Sequence, residues 1–467
     1  MRLFSTAKVL LSSSRSIYFC LLSSASKPNT RWFCSAGNSE KAVYSFGDGS
    51  HGALGLPFPG DAHVPTHVEG LPGHVSSVTA GHYHSLAVTC DGEVWAWGRN
   101  EEGQLGRALD CPRQSWNQPK KVEGLDKVEV ISAAASGVVS MAISNNGSLW
   151  VWGKSKRGQL GLGKGITEAL VPQRVEALAG QHVVQVALGW GHALACTVEG
   201  KLYSWGYAAD GRLGLITSCL EEPKSQNKLN LSPDTKNPES KASRFEIAEK
   251  LVLEELEKEK NLPICWKPCL VNDLNLLHVV DIACGLDHSL VLCDNGLLFS
   301  YGENTYGQLG RLSNGSHLQS VDLNQKVVSI AAGVGHSLAI AVDQPSNTSG
   351  GDNRLNACIS EGLNRSIFSW GWNSTSQLGR SEGEVLSRPG RVKGLEGEEP
   401  VSVSAGRAHS IAITSKRELW VWGCGRNGRL GLGSNFDEPE PYPVEALEGL
   451  KVLQAVCGFD HNLLLVD

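Results

Sequence analysis

Several patterns that mark common protein classes are missing from this 467-residue sequence. It has no run of 18 or more apolar residues, which excludes a hydrophobic transmembrane helix. It also lacks the G-x-S-x-G, H-E-x-x-H and Walker A patterns that position a serine nucleophile, a zinc ion or a phosphate. We therefore predict no catalytic, cofactor-binding or metal-binding residues, and a protein that is not an enzyme.

The 13 cysteines lack the spacing of a metal or disulfide framework. None lies in a C-x-x-C pair, and the number is odd. Cys265 and Cys269 form a lone C-x3-C, which is too little for a zinc site. Most of the others, such as Cys196, Cys293 and Cys457, lie in apolar, strand-like contexts. We expect buried free thiols in a reducing compartment.

Acidic residues are absent from residues 1–39, which contain five Lys or Arg. The whole chain has a net charge of −6, so the remainder is at −11. A body this acidic argues against non-specific nucleic-acid binding and against a DNA partner, although a local basic face stays open.

Residues 1–35 have the composition of an organellar transit peptide. They are rich in Arg and Ser, and Arg15 interrupts what would otherwise be the apolar core of a secretory signal. Residues 31–35 (RWFCS) are similar to a mitochondrial cleavage site, with Arg three positions before the cut. We predict targeting to the mitochondrial matrix, with the chloroplast and an untargeted disordered tail as alternatives.

Internal repetition dominates the rest of the chain. A twelve-residue pattern occurs seven times: YSFGDGSHGALG from Tyr44, WAWGRNEEGQLG from Trp95, WVWGKSKRGQLG from Trp150, YSWGYAADGRLG from Tyr203, FSYGENTYGQLG from Phe299, FSWGWNSTSQLG from Phe368 and WVWGCGRNGRLG from Trp420. In the sixth copy Ser376 replaces a glycine. A second pattern, clearest as VSSVTAGHYHSLAV from Val75, also occurs seven times, and a third, Pro-x-x-Val-x-x-Leu, six times.

The spacing of these patterns predicts a β-propeller. The starts of the twelve-residue pattern lie 51, 55, 53, 96, 69 and 52 residues apart, and about 50 residues with four short strands make one blade. The dipeptides at 91–92, 146–147, 199–200 and 295–296 suggest two-residue type I′ hairpin turns. The side chains of Trp95 and Trp97 should fill the wedge-shaped space between neighbouring sheets. Leu105 should pack into the contact between two neighbouring blades.

Residues 41–467 therefore predict an all-β, seven-bladed propeller with a particular closure. The chain starts with outer strands in residues 41–55 and ends with inner strands in residues 452–466. Together they make one blade, so pairing of the chain ends would close the ring and remove two exposed sheet edges.

Two insertions interrupt the repeats. In residues 216–263 the first half is polar, and we predict disorder there. The second half, 243–260, has a capping box and an apolar stripe that predict a helix, which either docks a partner or packs on its own propeller. Residues 343–365 predict a second, disordered loop.

The paired patterns resemble those of the regulator of chromosome condensation family of seven-bladed propellers, over about residues 41–467. With the N-terminal segment, the chain is most similar to the plant mitochondrial members. The resemblance implies roles in guanine-nucleotide exchange, ribosome assembly or RNA processing, including the intron splicing that respiratory complex I requires.

Six histidines share one repeat position, and catalysis would instead need one asymmetric group of residues. We expect them to be buried and bonded to neighbouring backbone; they are His84, His192, His288, His336, His409 and His461. Val139 takes this position in a degenerate copy. Residues 189–193 (GWGHA) partly match the repeated tryptophan segments of a plant ultraviolet-B photoreceptor, but Trp190 is the sole tryptophan among its counterparts, which argues against photoreception.

The sequence favours a non-enzymatic, protein-binding scaffold that supports mitochondrial intron splicing and complex I biogenesis. Its partners would be organellar RNA-processing proteins, with RNA recruited indirectly. The main alternative is an exchange factor for an organellar small GTPase, which an acidic patch in loops on one face would favour. Direct RNA binding is a further alternative, which a basic, aromatic-bearing face would favour.

Overall fold

The computed structural model of the protein describes residues 41–107, 116–214, 263–274, 277–312, 317–343, 364–380 and 386–467. The predicted transit peptide (1–35) and helix (243–260) lie outside these residues. So do almost all of the insertion at 216–263 and residues 344–363 of the second loop.

The described residues form 28 β-strands and a few short 3₁₀ turns. In chain order the strands are β1 (Ala42–Gly47), β2 (Ala62–His67), β3 (Val75–Ala80), β4 (His84–Thr89), β5 (Val94–Gly98), β6 (Lys120–Lys121), β7 (Val130–Ala135), β8 (Val139–Ser144), β9 (Leu149–Lys154), β10 (Glu168–Arg174), β11 (Val183–Leu188), β12 (His192–Thr197), β13 (Leu202–Tyr207), β14 (Ile264–Leu270), β15 (Val279–Cys284), β16 (His288–Cys293), β17 (Leu298–Gly302), β18 (Gln319–Ser320), β19 (Lys326–Ala332), β20 (His336–Val342), β21 (Arg365–Gly371), β22 (Gly390–Arg391), β23 (Pro400–Ala405), β24 (His409–Thr414), β25 (Leu419–Gly423), β26 (Glu438–Pro443), β27 (Val452–Cys457) and β28 (His461–Val466).

These strands make seven four-stranded antiparallel sheets, which confirms the predicted propeller. Blades 1 to 6 are β3–β6, β7–β10, β11–β14, β15–β18, β19–β22 and β23–β26. Blade 7 has the order β2-β1-β28-β27. In it β1 pairs with β28 from Ala42 opposite Val466 to Gly47 opposite His461, so the chain ends close the ring as predicted.

The second strand of each blade is buried on both faces because each blade is covered by two neighbours. All six residues of β4 (HSLAVT) are buried, and β8, β12, β16, β24 and β28 show the same pattern. The outermost strands are largely exposed, as in β6 and β10. This gradient places the core between the blades.

Aromatic and leucine side chains fill the seams as expected. Trp97 is fully buried and packs with Val43 and Leu465 of blade 7. Leu105 is also fully buried and shares a cluster with Trp152 of blade 2. The predicted roles of both side chains are confirmed.

The predicted type I′ turns are wrong, although the hairpins exist. Gly92, Gly147, Gly200 and Gly296 have positive φ, but the residues before them do not. In blade 1 the N–H of Gly92 donates to the carbonyl of Thr89, and the N–H of Thr89 donates to Glu93. This is a type I turn followed by a left-handed glycine, which needs one positive φ rather than two.

Proline in the third pattern lies where a blade could otherwise pair with another sheet. Pro65, Pro172, Pro268 and Pro441 lie within the outermost strands β2, β10, β14 and β26. Proline has no N–H to donate, so it blocks edge-to-edge pairing of these exposed strands.

Replacing Ser376 with glycine should stabilise the protein. Ser376 has φ 61°, whereas its counterparts in the other copies, such as Gly103 at φ 73°, are glycines. A side chain strains this left-handed backbone, so we expect Ser376→Gly to raise the free energy of unfolding by about 0.5–1 kcal/mol. Urea denaturation measures the change. The control is Ser374→Gly in the same loop, where φ is not positive and glycine should give no gain.

Candidate functional site

The antiparallel blades give the ring two chemically different faces. Segments that join first to second strands and third to fourth strands emerge on one side, which we call the loop face. Segments that join second to third strands, and each blade to the next, emerge on the other side, which we call the turn face.

Aromatic residues in the described inter-strand segments are confined to the loop face. Those of the turn face contain no Phe, Trp or Tyr, whereas those of the loop face contain eight: Phe58, Tyr83, Trp116, Trp190, Tyr306, Trp372, Phe436 and Phe459. Several are well exposed, including Trp190 at 42%, Tyr306 at 54% and Phe436 at 78%.

Charge divides in the same way. The described inter-strand segments of the turn face carry 18 Asp or Glu against 6 Lys or Arg. Those of the loop face carry 9 Asp or Glu against 12 Lys or Arg. Among the described segments, acidic residues are therefore concentrated on the turn face. Five of the twelve loop-face cations are buried: Arg107, Arg212, Arg311, Arg380 and Arg429.

A first aromatic cluster spans the seam between blades 7 and 1. The ring of Phe459 lies 4.9 Å from that of His82 and 6.0 Å from that of Tyr83, measured between centroids. The guanidinium of Arg407 lies 5.0 Å from the Phe459 ring, and that of Arg99 lies 5.5 Å from the Tyr83 ring. Such contacts hold the rings and the arginines in fixed positions.

Two further clusters lie on the same face. The guanidinium of Arg157, on blade 2, stacks 3.4 Å from the ring centroid of Trp190 and 5.3 Å from that of Tyr207, both on blade 3. The rings of Tyr306 on blade 4 and Trp372 on blade 5 lie 5.8 Å apart. Each cluster bridges two blades, so rigid sheets hold it on both sides.

The central channel opens on this face through a small cavity of about 140 Å³. One loop position per blade belongs to this region. His82, Leu286, Val334, Arg407 and Phe459 line the cavity, and Gly137 and Trp190 hold the same repeat position in blades 2 and 3. Trp190 is the one tryptophan in this set, so the described residues do not form a tryptophan cluster here. Burial raises the pKa of the Cys457 thiol, which also lines the cavity, to about 12, so this thiol is unreactive.

The six repeated histidines are buried, but their bonding partner is a side chain rather than the expected backbone. Each Nε2 lies 2.7–3.0 Å from an oxygen on the second strand of the next blade; the pairs are His84–Ser140, His192–Ser289, His288–Ser337, His336–Ser410, His409–Asn462 and His461–Ser85. Sequence reasoning missed this link because the Ser lies in the neighbouring repeat.

The same bonds fix the protonation of these histidines. The hydroxyl of Ser337, for example, already donates to the carbonyl of Gln308, so it must accept from Nε2–H of His288. Burial lowers the pKa of each of the six histidines to about 3 or 4, so they are neutral at physiological pH. They act as inter-blade links and have no catalytic arrangement.

In blade 2 the histidine–serine hydrogen bond is absent, and three residues differ there from the other repeats. Val139 replaces the histidine, and the residue opposite it on blade 3 is Ala193 rather than a serine; both pack in one apolar cluster. Ser136 replaces the preceding glycine. At the equivalent Gly285, an added Cβ would lie 2.1 Å from the His288 ring, so a side chain is tolerated only where the histidine is absent.

This coupling predicts the outcome of a mutant cycle in blades 4 and 5. Gly285→Ser alone should lower the free energy of unfolding by about 3 kcal/mol, because its side chain overlaps the His288 ring. Adding His288→Val and Ser337→Ala, which copies the blade 2 combination, should recover at least about 1 kcal/mol. Urea denaturation measures both values. Additive losses in the triple variant would contradict the coupling.

Two ion pairs link further blades near the channel mouth. Arg212 of blade 3 contacts Asp287 of blade 4, and Arg429 of blade 6 lies 2.6 Å from Asp460 of blade 7. Burial raises the pKa of Asp460, although Arg429 and Arg407 act in the opposite direction. Like the histidine hydrogen bonds, these ion pairs join neighbouring blades at the base of the loop-face segments and hold those segments in place.

The remaining sequence candidates have structural roles or none. Gly161 of the glycine-rich stretch at 161–165 packs against the Trp205 indole, where a Cβ would lie 2.8 Å from Nε1. The sulfurs of Cys265 and Cys269 are 3.2 Å apart on β14, and no group of three metal-binding side chains occurs among the described residues. Seven described cysteines are thiols as predicted; Cys90 departs from that expectation, being in a disulfide.

Sequence reasoning did not single out the loop-face aromatics. Tyr306 and Trp372 lie inside the twelve-residue pattern, at positions that differ from copy to copy. The sequence did contain a detectable signal. In the described residues, large aromatic side chains at such variable positions occur only in the segments that join first to second strands or third to fourth strands.

In the described part of the chain, no helix has the length and hydropathy to cross a membrane.

Comparison with known proteins places the chain in a family. The profile described as "RCC1-like domain" matches residues 42–464. The ultraviolet-B receptor UVR8 of Arabidopsis thaliana is 29% identical over 408 residues, covering 87% of this chain and 78% of the receptor. The human E3 ubiquitin-protein ligase HERC2 is 29% identical over 441 residues, which cover 92% of this chain but 8% of the ligase.

Solved structures agree with the fold. Prp20p of Saccharomyces cerevisiae superposes with a TM-score of 0.69 at 22% identity, over 92% of each chain. The profile match spans every blade, including the one that the chain ends close. The chain therefore belongs to the RCC1-like domain family of seven-bladed propellers.

Proposed function

We propose that this protein is a non-enzymatic interaction scaffold of the mitochondrial matrix that supports intron splicing and thereby complex I biogenesis. The observation that carries the scaffold role is the concentration of exposed aromatics and arginines on the loop face. Trp, Tyr and Arg dominate the binding energy of protein interfaces. The four-stranded blades hold these side chains in place before a partner arrives, which lowers the entropy cost of binding.

The family context supports an interaction role. UVR8 is a receptor, and Prp20p has been characterised for binding to Gsp1p and histones. A fold does not set a function, so the choice of face and partner depends on this chain's own residues. The RNA-processing setting rests on the resemblance to plant mitochondrial members.

Affinity purification of the mature chain from organelles, with and without nuclease, tests the scaffold role. The loop-face variant is Tyr306→Ala with Phe436→Ala. The matched control is Val198→Ala with Leu297→Ala, two exposed apolar residues on the turn face. We expect nuclease-resistant recovery of splicing factors that falls at least tenfold in the loop-face variant alone. Recovery of a small GTPase without RNA-processing factors would contradict the proposal.

The mitochondrial address has its own test. A fluorescent protein fused after residue 40 should accumulate in mitochondria, because residues 1–39 carry five basic and no acidic residues. The same reporter on residues 41–467 should stay outside the organelle. Import into chloroplasts instead would show that the predicted compartment is wrong.

The acidic turn face favours a second candidate, an exchange factor for an organellar small GTPase. Its 18 acidic residues in the described segments would repel the phosphates of a nucleotide bound to the GTPase. They would also compete with those phosphates for the basic residues of the GTPase. Release of a fluorescent GDP analogue from organellar GTPases measures this activity. A stimulation of tenfold or more that is lost with Glu398→Gln and Glu399→Gln would favour exchange over the scaffold role.

A further inference from the structure

We propose that Cys265 and Cys269 form a redox-active dithiol, which a small disulfide such as oxidised glutathione converts to an intramolecular disulfide bond. Both thiols lie on β14, the outermost strand of blade 3, and their sulfurs are 3.2 Å apart. Two thiols are too few for a zinc site, but they are enough for this reaction. The inference rests on the geometry of β14 and does not depend on the proposed scaffold role.

A bulge in β14 brings the two cysteines together. Cys265 lies opposite Gly206 and Cys269 lies opposite Ser204, so four residues of β14 span only two residues of β13. On a regular strand, residues four apart are separated by about 13 Å, whereas a span of two residues covers about 7 Å. That separation is at the upper end of the Cα distances that a disulfide bond joins, and bond formation requires the sulfurs to approach by about 1 Å.

The same bulge recurs in other blades, and blade 3 alone among them carries a thiol at both of its ends. In blades 7, 2 and 6 the outermost strand also spans four residues against two. The residues at the two ends of those bulges are Ala62 and Thr66, Ala169 and Gln173, and Glu438 and Tyr442. The fold therefore fixes the close approach, and the sequence of blade 3 places sulfur at both positions.

The two thiols differ in exposure, which sets the order of the reaction. Cys265 is buried and Cys269 is partly exposed, so the thiolate of Cys269 reaches an external disulfide first. It attacks one sulfur of oxidised glutathione, and one glutathione leaves as a thiolate. The thiolate of Cys265 then attacks the sulfur of Cys269 and releases the second glutathione. The two thiol protons and two electrons of the protein end on two molecules of reduced glutathione.

Oxidation of this bulge reaches the loop face through blade 2. The two thiols donate to the carbonyl of Lys267, at 3.1 and 3.5 Å, and a disulfide removes both S–H donors. The neighbouring carbonyl of Trp266 accepts from the N–H of Gly163, in the segment 155–167 that carries Arg157. A disulfide across the bulge therefore constrains the backbone on which this segment rests, so amide exchange in the segment should slow.

Equilibration of the mature chain with glutathione buffers, followed by differential alkylation and peptide mass spectrometry, tests the dithiol. We expect a disulfide between Cys265 and Cys269 that reverts when reduced glutathione is in excess. Cys265→Ser should instead accumulate a mixed disulfide with glutathione at Cys269, whereas Cys269→Ser should leave Cys265 reduced. The matched control is Cys424→Ser, which removes a partly exposed thiol of blade 6 and should change the rate of disulfide formation less than twofold.

Two results would overturn the dithiol. One is the absence of the disulfide at every glutathione ratio, and the other is a lasting mixed disulfide at Cys269 in the chain that retains Cys265. Hydrogen–deuterium exchange of the oxidised and reduced chains tests the connection to the loop face. We expect at least twofold slower exchange in residues 158–164 of the oxidised chain, and no response to the oxidant when both cysteines are replaced by alanine. Equal exchange in the two redox states would contradict that connection.

Discussion

Deleting residues 452–467 should abolish the cooperative fold. This deletion removes β27 and β28, the two inner strands of blade 7, and leaves β1 and β2 as an isolated hairpin. A two-stranded hairpin is marginally stable in water, and the opened ring would expose two sheet edges. The deletion also removes His461 and its inter-blade bond to Ser85. We expect aggregation and no cooperative thermal transition in circular dichroism.

A circular permutant provides the matched control for that deletion. Lys41 and Asp467 flank the paired ends of β1 and β28, so a short linker can join them, with new ends placed between the exposed residues Asn145 and Asn146 of a turn-face hairpin. This variant keeps all 28 described strands and should remain soluble and melt cooperatively. A soluble, cooperatively melting deletion variant would contradict closure by the chain ends.

Acid should unfold the protein at an unusually high pH. Burial lowers the pKa of the six inter-blade histidines to about 3 or 4, whereas in the unfolded chain each is near 6.5. A lowered pKa stabilises the fold above 6.5, and this stability is lost as pH falls toward 4. Each histidine contributes a slope of about 1.4 kcal/mol per pH unit in that window, so six give about 8.

Since domains are stable by about 5–15 kcal/mol, we expect the unfolding midpoint between about pH 4.5 and 6. Urea denaturation at a series of pH values measures the slope. The variant that carries Gly285→Ser, His288→Val and Ser337→Ala lacks one of the titrating groups, so its slope should be smaller by about 1.4 kcal/mol per pH unit. Unchanged stability from pH 7 to 5 would contradict the buried, neutral state of these histidines.

The repeats allowed the blade architecture to be predicted because they repeat the physical problem that each blade solves. The side chain at the Trp97 position fills the space between two sheets, and Leu105 packs between neighbouring blades. The repeats at the two ends of the chain are incomplete, so they must pair to close the ring. The hairpin turns were predicted wrongly because Asn-Gly and Asp-Gly suit two turn types, and strand twist and register decide between them.

The candidate site was harder to predict because it depends on relations between repeats. His288 is bonded to Ser337 of the next blade, and no pattern within one repeat shows that contact. The Trp190 stack likewise needs Arg157 from a different blade. The face on which each loop emerges follows from strand order, so the division of charge and aromatics became visible once the sheets were assigned.

Hydrogen–deuterium exchange of the mature chain, free and in its purified organellar complex, tests the central claim that partners engage the loop face. The account predicts that the complex slows exchange in residues 155–167, 189–191, 303–312 and 372–380, and leaves the turn-face hairpins at 90–93 and 145–148 unchanged. Protection confined to those hairpins and to the acidic segments 122–129 and 392–399 would show that the turn face is the binding surface, and the account would be wrong.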